Sequence, residues 1–292
     1  MTIAIYARST NDNLPIYVEQ LLDITRPEKV DVLIYKPYYD FLIKEYGFNK
    51  ELPVFSNSEE LISKADYVLS LGGDGTLLET KSFIRKSGIP VLGVNTGRLG
   101  FLANVNKNDL QRAVGLLLSE KFTLDKRELL EVHGCDETFG EVNFALNDFT
   151  IHKQESGSMI NIDTYIDGEF LNSYYSDGLI TATPTGSTAY SLSGGGPILM
   201  PDCDNFIITP IAPHNLNVRP ILISNDKVIT YKLSGRSERF YVTLDSVTGS
   251  VGAYHEIKIK LADFKFNLVN LEGHHFFETL RNKLYWGIDK RR

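Results

Sequence analysis

Between Ile3 and Val94 the chain alternates short apolar runs with stretches of helical periodicity, and this alternation restricts its fold more than any other feature. Ile3–Ala7, Val30–Tyr35, Asp66–Leu71 and Pro90–Val94 read as strands. One helix-like stretch starts at Pro15, a residue suited to a first helical position. A second covers Tyr38–Tyr46 and stops at Gly47. Ser56 and Glu59 have the spacing of a capping box and open a third, which runs to Ala65. A fourth covers Thr76–Lys86 and ends before Pro90. Strands that alternate with helices predict a doubly wound parallel sheet.

After Glu120 the texture changes. Leu129–Val132 and Val142–Leu146 read as strands, and Ile160–Ile166 alternates with a period of two. Asp167-Gly168 then signals a hairpin turn into Glu169. Further strands are expected at Val228–Leu233, Phe240–Leu244, Ile257–Leu261 and Phe264–Val269, and a helix over Phe276–Trp286. With 292 residues the chain can bury two cores of ordinary domain size. The expectation is a Rossmann-like α/β domain over residues 1–125, a β-rich, sandwich-like domain over 126–270, and a C-terminal helix within 271–292 that returns to the first domain.

Three segments carry candidate chemistry. The strand ending at Leu71 runs straight into Gly72-Gly73-Asp74-Gly75, and a helix follows from Thr76. Ligands of open α/β sheets bind at the carboxyl ends of strands, glycine lets the backbone approach them, and free N–H groups at a helix start favour anions. Gly72, Gly73, Gly75 and Thr76 are therefore candidate phosphate contacts, and Asn95, at the end of the next strand, is a further one. Asp74 needs a separate reason, because a carboxylate repels phosphate unless a cation intervenes or the acid does chemistry. It can act as a general base, sit near a magnesium ion, or cap the helix. The turn is not a Walker A loop, since no Gly-Lys-Ser/Thr follows.

The next strand leads into Asn95-Thr96-Gly97-Arg98-Leu99-Gly100-Phe101, where Asn95 and Arg98 can bind a ligand or hold a structural turn. Ser176 to Pro197 is the densest segment. Its hydroxyls and glycines suit ribose and phosphate oxygens, and Tyr190 can stack on a base. Its position between apolar strands predicts an ordered loop rather than a linker. Asn147-Asp148, at the end of the Val142–Leu146 strand, can read a sugar diol or form a plain turn.

The formal net charge of −7 argues against nucleic-acid partners. Cys135 and Cys203 have no CxxC spacing and read as small buried residues of a cytoplasmic protein. The start, Met1–Ala7, reads as a first strand and not a signal peptide, and no run reaches transmembrane length. His274-His275 lack an accompanying acid cluster and read as ordinary histidines, so no metal ligands are assigned. Trp286 reads as packing the terminal helix, and Lys290–Arg292 as a solvated end.

Together, the Gly72 turn, the Asn95–Phe101 segment, Asn147-Asp148 and the long run Ser176-Asp177-Gly178 through Thr183-Pro184-Thr185-Gly186-Ser187-Thr188-Ala189-Tyr190 resemble the NAD kinase family (ATP-dependent NAD kinases). Diacylglycerol and sphingosine kinases share the first turn but not the Thr-Pro-Thr-Gly run. The resemblance implies phosphorylation of the 2′-hydroxyl of the adenosine ribose of NAD by ATP with a divalent metal such as Mg²⁺, at a site formed by both domains. It implies that Asp74 is the base, with Gly75 beside it. Asn147 and Asp148 match a pair that holds the dinucleotide, Asp148 being one methylene shorter than the commoner Glu. Asp177 matches an acid at the nicotinamide end. Thr188, Ala189, Tyr190, Ser191, Leu192 and Ser193 match a loop along NAD, and Ala212 lines the same site. Ser158 and Tyr175 complete the set, at positions where relatives often carry larger or basic contacts. Dimers or tetramers are implied as well. A lipid kinase and a non-catalytic dinucleotide sensor are the alternatives.

Overall fold

The computed structural model describes residues 1–10, 14–97, 100–154, 159–235, 238–272 and 275–284. Arg98, Ser158, His274, Trp286 and Lys290–Arg292 lie outside the described residues. The chain forms two compact units, one of Met1–Lys126 joined by the chain from Phe266 onward, the other of Arg127–Lys265.

The first unit begins β1 (Thr2–Ala7), α1 (Pro15–Thr25), β2 (Asp31–Tyr35), α2 (Lys36–Tyr46), β3 (Val54–Phe55), α3 (Ser58–Ile62), β4 (Tyr67–Leu71), α4 (Asp74–Ile84), β5 (Val91–Asn95), β6 (Val105–Asn106), α5 (Leu110–Leu118) and β7 (Phe122–Arg127). The order β3-β2-β1-β4-β5 is parallel throughout. Ile3, Ile5 and Ala7 face one side, where Val18 and Leu21 of α1 and Leu110 and Val114 of α5 pack. Tyr6 faces the other side, its ring 5.1 Å from that of Phe83 in α4. Helices thus cover both faces of a doubly wound sheet. The strand order reverses between β1 and β4, and ligands of such sheets bind outside the strand ends at this switch point. Gly72 to Gly75 leave the sheet there, beside Arg8 at the end of β1.

Two helices show how the structure departs from the sequence expectation. The third is capped by Asn57, which accepts the Glu60 N–H at 2.9 Å, while the Glu60 carboxylate accepts the Ser56 N–H at 2.7 Å. Ser56/Glu59 and Asn57/Glu60 both fit the cap spacing, so the sequence leaves the frame open, and the helix ends at Ile62, short of Ala65. The amphipathic α5 was not anticipated, although its buried Leu110, Ala113, Val114 and Leu117 follow helical spacing.

The second unit contains β8 (Leu130–His133), α6 (Asp136–Phe139), β9 (Phe144–Ala145), β10 (Asp148–Lys153), β11 (Ile160–Ile166), β12 (Glu169–Ser176), β13 (Gly178–Ala182), a 3₁₀ turn (Thr185–Thr188), α7 (Tyr190–Ser193), β14 (Asn205–Ile211), β15 (Ile221–Ser224), β16 (Ile229–Gly235), β17 (Arg239–Leu244), β18 (Val247–Gly252) and β19 (Glu256–Leu261). They form two six-stranded sheets, β15-β14-β13-β10-β17-β18 and β12-β11-β16-β19-β8-β9. Phe149, Ile151, Phe206 and Phe240 of the first share one core with Ile160, Ile162, Tyr231 and Ile257 of the second, which makes the unit a β-sandwich. The expected strand Val142–Leu146 shrinks to β9, so Asp148 opens β10 instead of following a strand end. Cys135 is buried, and burial pushes its thiol up to about 12. Cys203 is only half-buried, contrary to expectation.

The chain then returns through β20 (Phe266–Leu271) and α8 (Phe276–Leu284). The Phe264–Val269 run, assigned above to the β-rich part, is a strand of the first unit. It lies between β5 and β7, with Leu268 paired in parallel to Val91. Its partner is far away in sequence, so no local pattern announces the pairing.

Candidate active site

Asp74 is the first residue of α4, two residues before the predicted start. Gly73 is the N-cap and offers no side-chain acceptor. Asp74 does not turn back to cap its own helix. Its Oδ1 accepts the N–H groups of Leu102 (3.0 Å) and Ala103 (2.9 Å), and its Oδ2 accepts that of Phe101 (2.8 Å). The three amides fix the carboxylate at the head of the helix, where the macrodipole also favours a negative charge. Lys283 of α8 places its Nζ 3.7 Å from Oδ2 and 5.3 Å from the centre of the Phe101 ring.

Two glycines make this packing possible. Gly72 has φ +150°, and a Cβ there would collide with the Thr76 side chain. A Cβ at Gly100 would collide with the Asp74 carboxylate. Gly73 and Gly75 differ, since a Cβ at Gly73 would meet nothing and one at Gly75 only the Arg8 guanidinium, in ordinary contact. Arg8 is held by Glu79, whose carboxylate also accepts the Tyr6 hydroxyl, and Arg8 Nη2 reaches the Gly75 carbonyl at 3.4 Å. Burial, with the Glu79 charge, keeps the Tyr6 phenol well above its usual range.

Asn95 and Thr76, named above as phosphate contacts, have internal duties. Asn95 is buried, its Oδ1 accepts the Gly97 N–H at 2.8 Å, and its amide donates to the Ala103 carbonyl at 3.4 Å. It holds the loop that carries the amides of the Asp74 clamp. Thr76 is buried against Gly72.

In the second unit, Asn147 and Asp148 are fixed by a residue that the sequence did not single out. Asp245 accepts the N–H groups of Leu146 (3.0 Å), Asn147 (2.8 Å) and Asp148 (3.2 Å). It sits at the β17–β18 turn with φ +51°. An Asp at a hairpin turn was the available signal. The Asn147 carbonyl accepts the Thr183 N–H at 2.9 Å, which ties this pair to the Thr-Pro-Thr-Gly run. Asp148 is buried, with the Thr150 hydroxyl 3.4 Å from its Oδ1.

Strand register gathers the other candidates. Gly178 pairs with His152 on one side and Ile211 on the other, so Asp177 and Ala212 lie at the same end of that sheet as His152 and Lys153. Tyr175, in β12 of the other sheet, accepts the His214 N–H at its carbonyl at 2.9 Å. Lys153 Nζ donates to Asp177 Oδ1 at 2.5 Å. Tyr190 stacks on His152 with the rings 5.8 Å apart and an interplanar angle of 18°, and its hydroxyl lies 3.3 Å from Nε2. Burial lowers the His152 pKa from the usual imidazole value, and the Asp177 charge opposes this. Tyr175 meets His214 edge-on at 5.7 Å. Ala212 has φ +44°. Lys153 was missed in the sequence because its partner is 24 residues away.

The Thr188–Ser193 loop is split in role. Tyr190 and Ser193 are exposed, whereas Ser191 is buried and its hydroxyl pairs with that of Thr209 at 2.8 Å. Ser191, expected to contact ligand, therefore anchors the loop through its side chain. Thr188 bonds back to the Thr185 carbonyl at 3.2 Å. Thr185 in turn accepts from the buried Arg127 at 3.2 Å.

The chain matches known proteins in sequence and in fold. Residues 45–122 match the family model of the ATP-NAD kinase N-terminal domain, and residues 146–271 that of the C-terminal domain. The chain is 45% identical to an NAD kinase of Cytophaga hutchinsonii and 41% identical to one of Flavobacterium johnsoniae, each over the full length of both chains. In fold it is similar to a yeast NADH kinase solved with NADH (TM-score 0.87, 23% identity, 99% of this chain and 88% of that one). It is also similar in fold to an NAD kinase from Archaeoglobus fulgidus solved with ATP (TM-score 0.75, 24% identity, 98% and 99%). On the two family models and the full-length relatives, the chain belongs to the NAD kinase family.

Proposed function

We infer that the chain transfers the γ-phosphoryl group of ATP to the 2′-hydroxyl of the adenosine ribose of NAD, giving NADP and ADP. The observation that carries this reading is an acid clamped by three backbone amides at the switch point of a parallel sheet, directly after a glycine turn. Two N–H donors occupy Oδ1 and one occupies Oδ2, so Oδ2 keeps the greater capacity to accept a proton. In the proposed step the hydroxyl O–H bond breaks toward Asp74, the ribose oxygen bonds to the γ-phosphorus, and the bond from that phosphorus to the β–γ bridging oxygen breaks, releasing ADP. Gly73 and Gly75 leave the backbone open to the phosphates, because the surrounding protein demands no glycine there.

Asn147, Asp148, Tyr175, Asp177, Tyr190 and Ala212, with the backbone of residues 188–193, are proposed to hold NAD. The amides aimed at Asp74 leave it poorly suited to be a metal ligand, and among the described residues no three His, Cys, Asp or Glu side chains cluster. Mg²⁺ is accordingly proposed to arrive as its ATP complex, held by the phosphates, where it would neutralise charge on the transferring group. Self-association into dimers or tetramers and a cytoplasmic location are also proposed. In support of the location, both cysteines are free and no described helix is long and apolar enough to cross a membrane.

The test is purified protein with ATP, Mg²⁺ and either NAD or diacylglycerol. NADP formation is expected, phosphatidate would mean a lipid kinase, and NAD binding without turnover would mean a sensor. Asp74→Asn should lower turnover about 10²–10⁴-fold while NAD binding persists. Asn offers a single acceptor oxygen, so a thermal melt must accompany the assay. Wild-type turnover in this variant would overturn the role of Asp74.

A further inference from the structure

Asp74 poses an electrostatic problem that the clamp does not solve. Backbone amides satisfy the carboxylate, yet its full negative charge still faces the triphosphate that must approach the same turn. The one described cation paired with this carboxylate is Lys283, delivered by α8 from the far end of the chain. Its placement is specific in three respects. It lies beside Oδ2, the oxygen with the greater capacity for a proton. At 3.7 Å it is a loose ion pair, beyond hydrogen-bond length, so its three N–H donors are not consumed by Asp74. Its ammonium also lies over the ring of Phe101, whose own N–H donates to the same Oδ2.

We propose that Lys283 is a positioning residue for phosphoryl transfer, cancelling the charge of Asp74 toward the incoming ATP–metal complex and steadying Oδ2 for the acceptor hydroxyl. The proposal rests on the reading of Asp74 as the base. It gives a physical reason for the return of the chain to the first unit: β20 enters the sheet beside β5, and α8 then brings a cation to the turn that follows β4. The ion pair is a third exposed on the Lys283 side, so its contribution to folding is small. Its effect belongs to the reaction, where charge neutralisation dominates.

The experiment is a double-mutant cycle. Lys283→Met should raise KM for ATP, or lower kcat/KM for ATP, by about tenfold or more, with NAD affinity and the thermal midpoint nearly unchanged. Lys283→Arg should restore most of the loss. In the Asp74→Asn background, binding of a non-hydrolysable ATP analogue should change less than about twofold on adding Lys283→Met, because no charge is left to cancel. Normal ATP kinetics in Lys283→Met would overturn the proposal while leaving Asp74 as the base. An equal loss of ATP affinity in the wild-type and Asp74→Asn backgrounds would also overturn it, and would mean that Lys283 acts on the phosphates without Asp74. Wild-type turnover in Asp74→Asn would instead remove the reading beneath it. A lowered thermal midpoint in both Lys283 variants would assign the residue to packing of α8 and overturn its functional role.

Discussion

A single methyl group can test the Asp74 clamp. Gly100 has no side chain because the Asp74 carboxylate occupies that space. Gly100→Ala must push the carboxylate or the loop away, breaking the bonds to Phe101, Leu102 and Ala103. Hydrogen bonds to a charged group contribute about 1.5–3 kcal/mol each, although relaxation of the loop recovers part of their loss. NADP formation should fall by at least about tenfold, with a drop of roughly 1–3 kcal/mol in urea-unfolding stability. Wild-type kinetics would mean that the clamp has no bearing on the reaction. The sequence marked Gly100 only as one more glycine in a loop. Its purpose lies in a carboxylate 26 residues earlier, a contact that spacing cannot express.

Among elements, the β17–β18 hairpin matters more than its sequence suggests. Asp245 uses the turn to hold the amides at the start of β10, and thereby Asn147 and Asp148. Asp245→Ala should lower stability by about 2–4 kcal/mol and raise the NAD KM, whereas Asp245→Asn keeps part of the bonding and should cost less. Chemical denaturation and steady-state kinetics measure the two effects, and an unchanged NAD KM in a folded Ala variant would separate the hairpin from the site. Local pattern made much of the fold readable. Ile160–Ile166 was placed to the residue by its period of two, and Asp167-Gly168 was recognised as a turn because both residues take positive φ, at 49° and 86°. Ambiguity entered where two frames satisfied one rule, as at Ser56 and Asn57. The site divided in the same way. Gly72 to Gly75 and the Thr183–Ser193 run were visible as motifs. Asp245, Lys153 and Lys283 were not, because each acts on a partner brought near only by the fold.

At the scale of the molecule, one unit is continuous in sequence and the other is not. Residues 127–265 contain both sheets of the sandwich and their shared core. Produced alone, this stretch should fold cooperatively, as read by circular dichroism and a sigmoidal melt. A chain ending at Lys265 should leave the first unit without the strand between β5 and β7 and without Val269 and Leu271 of its core. It should show a single folded unit by calorimetry and form no NADP, and two intact transitions would contradict this division. The same discontinuity sets a clock. A ribosome adds about 5–20 residues per second, so Phe266 emerges on the order of ten to thirty seconds after the end of β5. During that interval the sandwich can complete itself while part of the β5 edge waits for its partner. Lys283 is made later still, so each newborn molecule carries its acidic turn through translation before the cation that pairs with it exists.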